Sequence, residues 1–117
     1  MGAENKWQAS GSVGNWDTTG NWSLAAKPVN TDNVIFPDGT APVTTGHTDE
    51  TAVTLDKMIL LPGYQSAIGA SGSRLSISAT EIFHYGSGKL WFTDGTGVTD
   101  KVVVNGLANA DLMDIDG

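Results

Sequence analysis

Short apolar clusters return along this chain and never lengthen into a helix. They stand at Val34-Ile35-Phe36, Met58-Ile59-Leu60, Ile82-Phe83 and Val102-Val103-Val104. From Ile35 to Ile59 to Ile82 to Val103 the step is roughly 21–24 residues, inside the repeat range of solenoids. A second series runs half a step out of phase, at Val53-Thr54-Leu55, Leu75-Ser76-Ile77, Leu90-Trp91-Phe92 and Leu112-Met113. Gly, Ser, Thr, Asn and Asp fill the intervals, and these are turn formers. No window keeps apolar residues at i, i+3, i+4 and i+7 for three turns, so almost no helix is expected. A chain that winds this way builds a surface or a shaft.

The expected fold is all-β: a short parallel β-helix (solenoid) over residues 34–117, with a Trp-rich N-terminal attachment or capping segment over residues 1–33. Lys27-Pro28-Val29-Asn30-Thr31-Asp32-Asn33 marks the junction as a loop. Val53–Asp56 and Leu75–Ser78 alternate apolar with polar, the period of a half-buried strand. Ala67–Gly72 reads as a further short strand. A β-sandwich or jelly roll is the alternative, since sandwiches also space short strands about 8–12 residues apart. The near-constant step and two strands per coil favour the β-helix. So does the ending, Asp111–Gly117, which stops mid-pattern without a capping segment.

Composition narrows the partners. At 117 residues one domain is expected. The chain has no cysteine, hence no disulfide and no thiolate metal site. A short solenoid needs its ends covered, so contacts with other chains are expected, including a homo-oligomer such as a trimer. The net charge of −7 opposes nucleic acid and anionic membrane surfaces as partners. No apolar run approaches the roughly 20 residues of a membrane span. Met1–Trp7 lacks the apolar core of a signal peptide. Synthesis in a cytoplasm, with retention there or release by lysis, is the expectation. Met1-Gly2 opens like a myristoylation motif, but Lys6 stands where Ser or Thr is needed.

Several residue groups invite a chemical reading. Trp7, Trp16 and Trp22 lie in a Gly/Asn/Ser/Thr context and suit a partner interface, with Lys6 and Lys27 as its cations, or a sugar platform. The plainer reading is that they cover an open end of the fold. Asp94–Asp100 and the set Asp111, Asp114 and Asp116 offer oxygens to Ca²⁺, but match neither the EF-hand loop nor the Gly-rich nonapeptide. Turn chemistry explains them more simply. Asp56 and Glu81 would approach each other on adjacent coils, as a glycosidase pair requires, yet no cleft is evident. His47 and His84 are the two histidines. Gly69-Ala70-Ser71-Gly72-Ser73 fails the nucleophile-elbow pattern at its last position. Gly86-Ser87-Gly88-Lys89-Leu90 is a fragment of a phosphate loop without the spacing or the following Ser/Thr. Asn21-Trp22-Ser23 is a glycosylation sequon that matters only in a secretory pathway. No cofactor or metal set is expected.

The run Gly14-Asn15-Trp16-Asp17, Gly20-Asn21-Trp22-Ser23 and Lys27-Pro28-Val29-Asn30-Thr31-Asp32-Asn33-Val34-Ile35-Phe36 resembles the opening of a group of tailed-bacteriophage virion proteins. The likeness continues through Ala52–Met58, Leu61–Tyr64 and Ala67–Gly69, and so spans most of the chain. The opening is also similar to Trp-rich starts of bacterial autotransporter passengers, which are β-helical. The phage resemblance implies a structural virion component: a capsid decoration (cement) protein, a head fibre or another appendage on the major capsid protein shell. It implies no catalytic residues. A carbohydrate-binding adhesin or tail-fibre module is the second expectation, and a small polysaccharide-degrading β-helix enzyme the third.

Overall fold

A computed structural model of the chain describes residues 3–11, 14–44, 53–69, 75–93, 97–104 and 113–116. The described chain is nearly all β, with one short 3-10 turn at Thr19–Asn21. Five strands form the larger sheet: β1 (Glu4–Lys6), β3 (Asn33–Phe36), β5 (Thr54–Leu60), β6 (Ser78–His84) and β8 (Gly97–Val104), in that order. Two smaller ladders pair β2 (Gly14–Asn15) with β4 (Val43–Thr44), and β7 (Leu90–Thr93) with β9 (Met113–Asp116). Single bridges link Val43 to Ile68 and Ile68 to Leu90, which places all four strands along one line. Every named strand pair is parallel.

Register in the larger sheet follows chain order. Val34 pairs with Met58, Met58 with Ile82 and Ile82 with Val102. The steps are 24 residues (34 to 58), 24 (58 to 82) and 20 (82 to 102). The last is shorter than the first two, and a bulge interrupts the β6–β8 register at Ala79/Glu81. Parallel strands need a long connection between them, and here the connections run through the second line of short strands.

The alternation of each strand decides what is buried. Val34, Met58 and Ile82 are fully buried, as are Phe36, Leu60 and His84. Ile35, Ile59 and Phe83 alternate with them and face outward, partly covered. Each of these apolar clusters is therefore split between the two faces of its strand. Three consecutive apolar residues of a period-2 strand cannot share one face. The register also pairs Ile59 with Phe83 rather than with Ile82.

Two corrections concern organisation. Val53–Leu55 does not begin a strand of its own line: Thr54 and Leu55 belong to β5 together with Met58–Leu60. Asp56 and Lys57, both partly exposed, break the in/out alternation between the two halves. Thr80 and Glu81 do the same in β6. The expected boundary between residues 33 and 34 falls inside β3, and β1 pairs with β3 through Asn5 and Val34. The described residues before Asn33 therefore contribute to the same sheets, β1 to the larger and β2 to a smaller one. The expected strand Ala67–Gly72 is limited to bridges at Ile68, and residues 70–72 lie outside the described residues.

Candidate functional site

The N-terminal segment holds the five residues singled out as partner-binding, and the structure separates them. Trp7, Trp16 and Trp22 have no exposed surface. Trp7 and Trp22 meet edge to face with centroids 4.9 Å apart, and Trp16 and Trp22 do so at 4.8 Å. All three rings lie about 6 Å from Phe36, which touches Tyr64 at 5.2 Å. The Trp7 indole donates to the Ala41 carbonyl at 2.8 Å, and the Tyr64 hydroxyl donates to the same oxygen at 3.0 Å. The Trp22 indole donates to the Trp16 carbonyl at 2.7 Å. Both the sugar platform and the interface anchor need an exposed ring face, so both roles are corrected for these three residues. They are an aromatic core. The physical reason is area: burying three indoles against Phe36 takes far more apolar surface out of water than leaving the rings exposed would.

Lys6 and Lys27 stay at the surface. Lys6 lies 3.7 Å from Glu4, and Lys27 lies 3.2 Å from Asp17. The two cations are thus partnered within the chain.

The same segment closes the outer edge of β1. The Ser23 amide donates to the Lys6 carbonyl at 2.8 Å, and the Lys6 amide donates to the Ser23 hydroxyl oxygen at 2.9 Å. The Gln8 amide donates to the Asn21 carbonyl at 2.8 Å. An antiparallel bridge joins Trp7 to Trp22. Edge strands offer unpaired backbone groups to other chains, and here the chain's own return stroke occupies them. Two buried polar side chains hold that stroke. Asn5 donates to the Ala26 carbonyl at 2.7 Å and accepts from the Leu24 amide at 3.2 Å. Asp32 accepts from the Val29 amide at 3.0 Å and the Ala3 amide at 3.2 Å.

The remaining chemical candidates resolve individually. Lys57 lies 3.4 Å from Asp56 and 3.8 Å from Glu81, so a cation bridges the two carboxylates. A cation standing between the two does not resemble an acid/base pair across a groove. His84 is fully buried beneath its own turn. Its Nε2 lies 2.6 Å from the Gly88 carbonyl, which can only accept, so Nε2 carries the proton. Nδ1 is buried without a hydrogen-bond partner, and burial lowers the histidine's affinity for a second proton. Gly86 and Gly88 press against the backbone of the preceding circuit, at the Tyr64 and Ser66 carbonyls. Close stacking of turns explains the Gly-Ser-Gly run. The Asn21 side-chain nitrogen, the sequon's acceptor, donates to the Asn15 carbonyl at 3.0 Å.

His47, Asp94, Asp111 and the Ser71 pattern lie outside the described residues, and of Asp100, Asp114 and Asp116 only strand placement is described. Among the described residues there is no pocket and no group of three metal-ligating side chains. Two features escaped the reading of the sequence. Leu24 and Val29 are 49% and 60% exposed, the large hydrophobic side chains most open to solvent among the described residues. Their signal was available: both are apolar residues inside a stretch with no period. Trp91, partly exposed, carries the Lys89 ammonium 4.4 Å from its ring centroid. Comparison of the chain with protein families, curated proteins and solved structures finds no match.

Proposed function

We propose that the chain is a short parallel β-helix and a non-enzymatic structural protein of a tailed-phage virion. In this reading it is a capsid decoration (cement) protein or head-fibre base on the outside of the major capsid protein shell, made in the host cytoplasm. The observation that carries it is the parallel register running circuit on circuit from Asn5 through Val34, Met58 and Ile82 to Val102. Such a stack turns a modest chain into a rigid surface, and antiparallel sandwich pairing is absent among the described strands. The likeness of the Gly-Asn-Trp and Asn-Trp-Ser opening to phage virion proteins supplies the biological class.

Attachment then works by area. With the tryptophans inside, the outer face of the five-stranded sheet is the flat surface on offer. Ile35, Ile59 and Phe83 run across it in register, beside the Lys57–Glu81 pair. A stable interface buries about 1,200–2,000 Å² in total. The test is co-sedimentation of the purified chain with undecorated phage heads, followed by a cryo-EM map. Wild-type protein should saturate specific sites on the head, and Phe83→Asp should weaken binding at least about tenfold without loss of fold. Copies confined to the tail tip would favour the adhesin reading instead, and turnover of a polysaccharide would favour the enzyme.

A further inference from the structure

Two columns of residues cross the outer face of the larger sheet, one residue of each column on every strand. Register aligns Glu4, Asn33, Lys57 and Glu81 in the first column and continues it to Lys101 of β8. It aligns Lys6, Ile35, Ile59 and Phe83 in the second and continues it to Val103. The columns stand two residues apart on each strand and so share one face. None of the eight residues on β1, β3, β5 and β6 is buried, whereas Asn5, Val34, Met58 and Ile82, which lie between them, are. An apolar ladder, Ile35-Ile59-Phe83, therefore runs beside a charged one whose sign alternates from Lys57 to Glu81 to Lys101. Lys57 and Glu81 lie 3.8 Å apart, and both side chains reach solvent.

The order of charges identifies the occupant. Packed sheets keep their strands nearly aligned, and one face meets itself about a twofold axis. An axis across the strands cannot lay both columns on their counterparts. An axis along the strands can, and its position is fixed by sign. Along β5 it sets Lys57 on Lys57, along β6 Glu81 on Glu81, and between β3 and β5 Glu81 on Glu4. Along β3 it sets Ile59 on Lys6, and between β6 and β8 it leaves Ile59 uncovered. Only between β5 and β6 does Lys57 of each copy face Glu81 of the other while Ile59 faces Phe83. Ile35 then faces Val103, and Asn33 faces Lys101. We infer that the outer face of β3, β5, β6 and β8 is a self-association face, on which a second copy of this chain packs sheet to sheet about a twofold axis along the strands between β5 and β6. β5 and β6 are 7 residues long. Four strands of that length, about 4.8 Å apart with about 3.3 Å per residue, present roughly 450 Å² per copy. That is the size of a weak, reversible pair.

This inference shares its face with the proposed capsid attachment but does not rest on it, and it is tested without capsids. Sedimentation equilibrium of the full chain, up to roughly 200 µM at physiological salt, should show a monomer–dimer equilibrium. Lys57→Glu and Glu81→Lys each bring like charges together across the axis and should weaken it at least about tenfold. Mixed in equal amounts, the two variants should recover the dimer, because two carboxylates of one then face two ammonium groups of the other. The lost pair within each chain cannot explain that recovery, since neither variant regains it. Ile59→Ser, which changes no charge, should weaken the wild-type dimer about threefold or more. A wild-type chain that stays monomeric throughout overturns the inference and leaves head binding as a separate result. A dimer indifferent to these variants overturns it too, as does a mixture that stays monomeric.

Discussion

Trp22 touches Trp7, Trp16 and Phe36, so truncating it to Ala opens a cavity at the centre of the aromatic core. Trp22→Ala should cost about 3–5 kcal/mol in urea denaturation. Loss of head binding in that variant would report unfolding rather than a lost contact. His84 gives a pH signature. Its imidazole is buried neutral, and desolvation lowers its pKa below the ordinary 6.5 despite the Gly88 carbonyl. As pH falls, the unfolded chain takes up this proton first. The group's stabilising contribution is therefore full above about pH 6.5 and is lost as the pH falls through the lower folded value. His84→Gln should remove this part of the slope, seen as a wild-type minus variant difference that shrinks between pH 7.5 and 5, both values chosen about the imidazole range. Thr31 carries strain that Asn tolerates better. Thr31→Asn should raise stability by up to about 1 kcal/mol, measured by thermal unfolding.

At the scale of elements, alternation makes neighbouring isoleucines unequal. Ile82 is fully buried in β6, whereas Ile59 is partly exposed on the outer face of β5. Ile82→Ala should cost about 2–5 kcal/mol and Ile59→Ala only about 1; equal costs would mean that the two side chains share one environment. The turns between strands obey a different constraint. A Cβ at Gly88 would strike the Ser66 carbonyl, and one at Gly86 the Tyr64 carbonyl. Backbone cannot yield as a flexible side chain can. Gly88→Ala should therefore destabilise by about 1–3 kcal/mol through overpacking, although Gly→Ala at an open turn is often mildly stabilising.

At the scale of the whole molecule, the larger sheet is covered along its β1 side. Its edge strand is closed by residues of its own chain, through Ser23, Asn21 and Trp22. Ser23→Pro removes the amide that donates to Lys6 and would reopen that edge. The expected outcome is a lower melting midpoint and concentration-dependent light scattering, as an uncovered edge recruits other chains.

The β class, the positions of β3, β6, β7 and β8 and the spacing between paired strands of the larger sheet were legible in the sequence. Strand formation answers to local pattern, and Val34–Phe36, Ile82–Phe83, Leu90–Phe92 and Val102–Val104 each carry enough of it. Tertiary structure alone decided which side of each strand is inside. Inside is defined by the other circuits, so the same pattern reads equally well with Ile35 or Val34 in the core until they are stacked. It also decided that the tryptophans serve the interior, that Lys57 stands between Asp56 and Glu81, and that Leu24 and Val29 remain in water. Each of these depends on residues about 15–30 positions apart meeting in space. No local propensity encodes that proximity, because it is set by register between circuits and by burial against them.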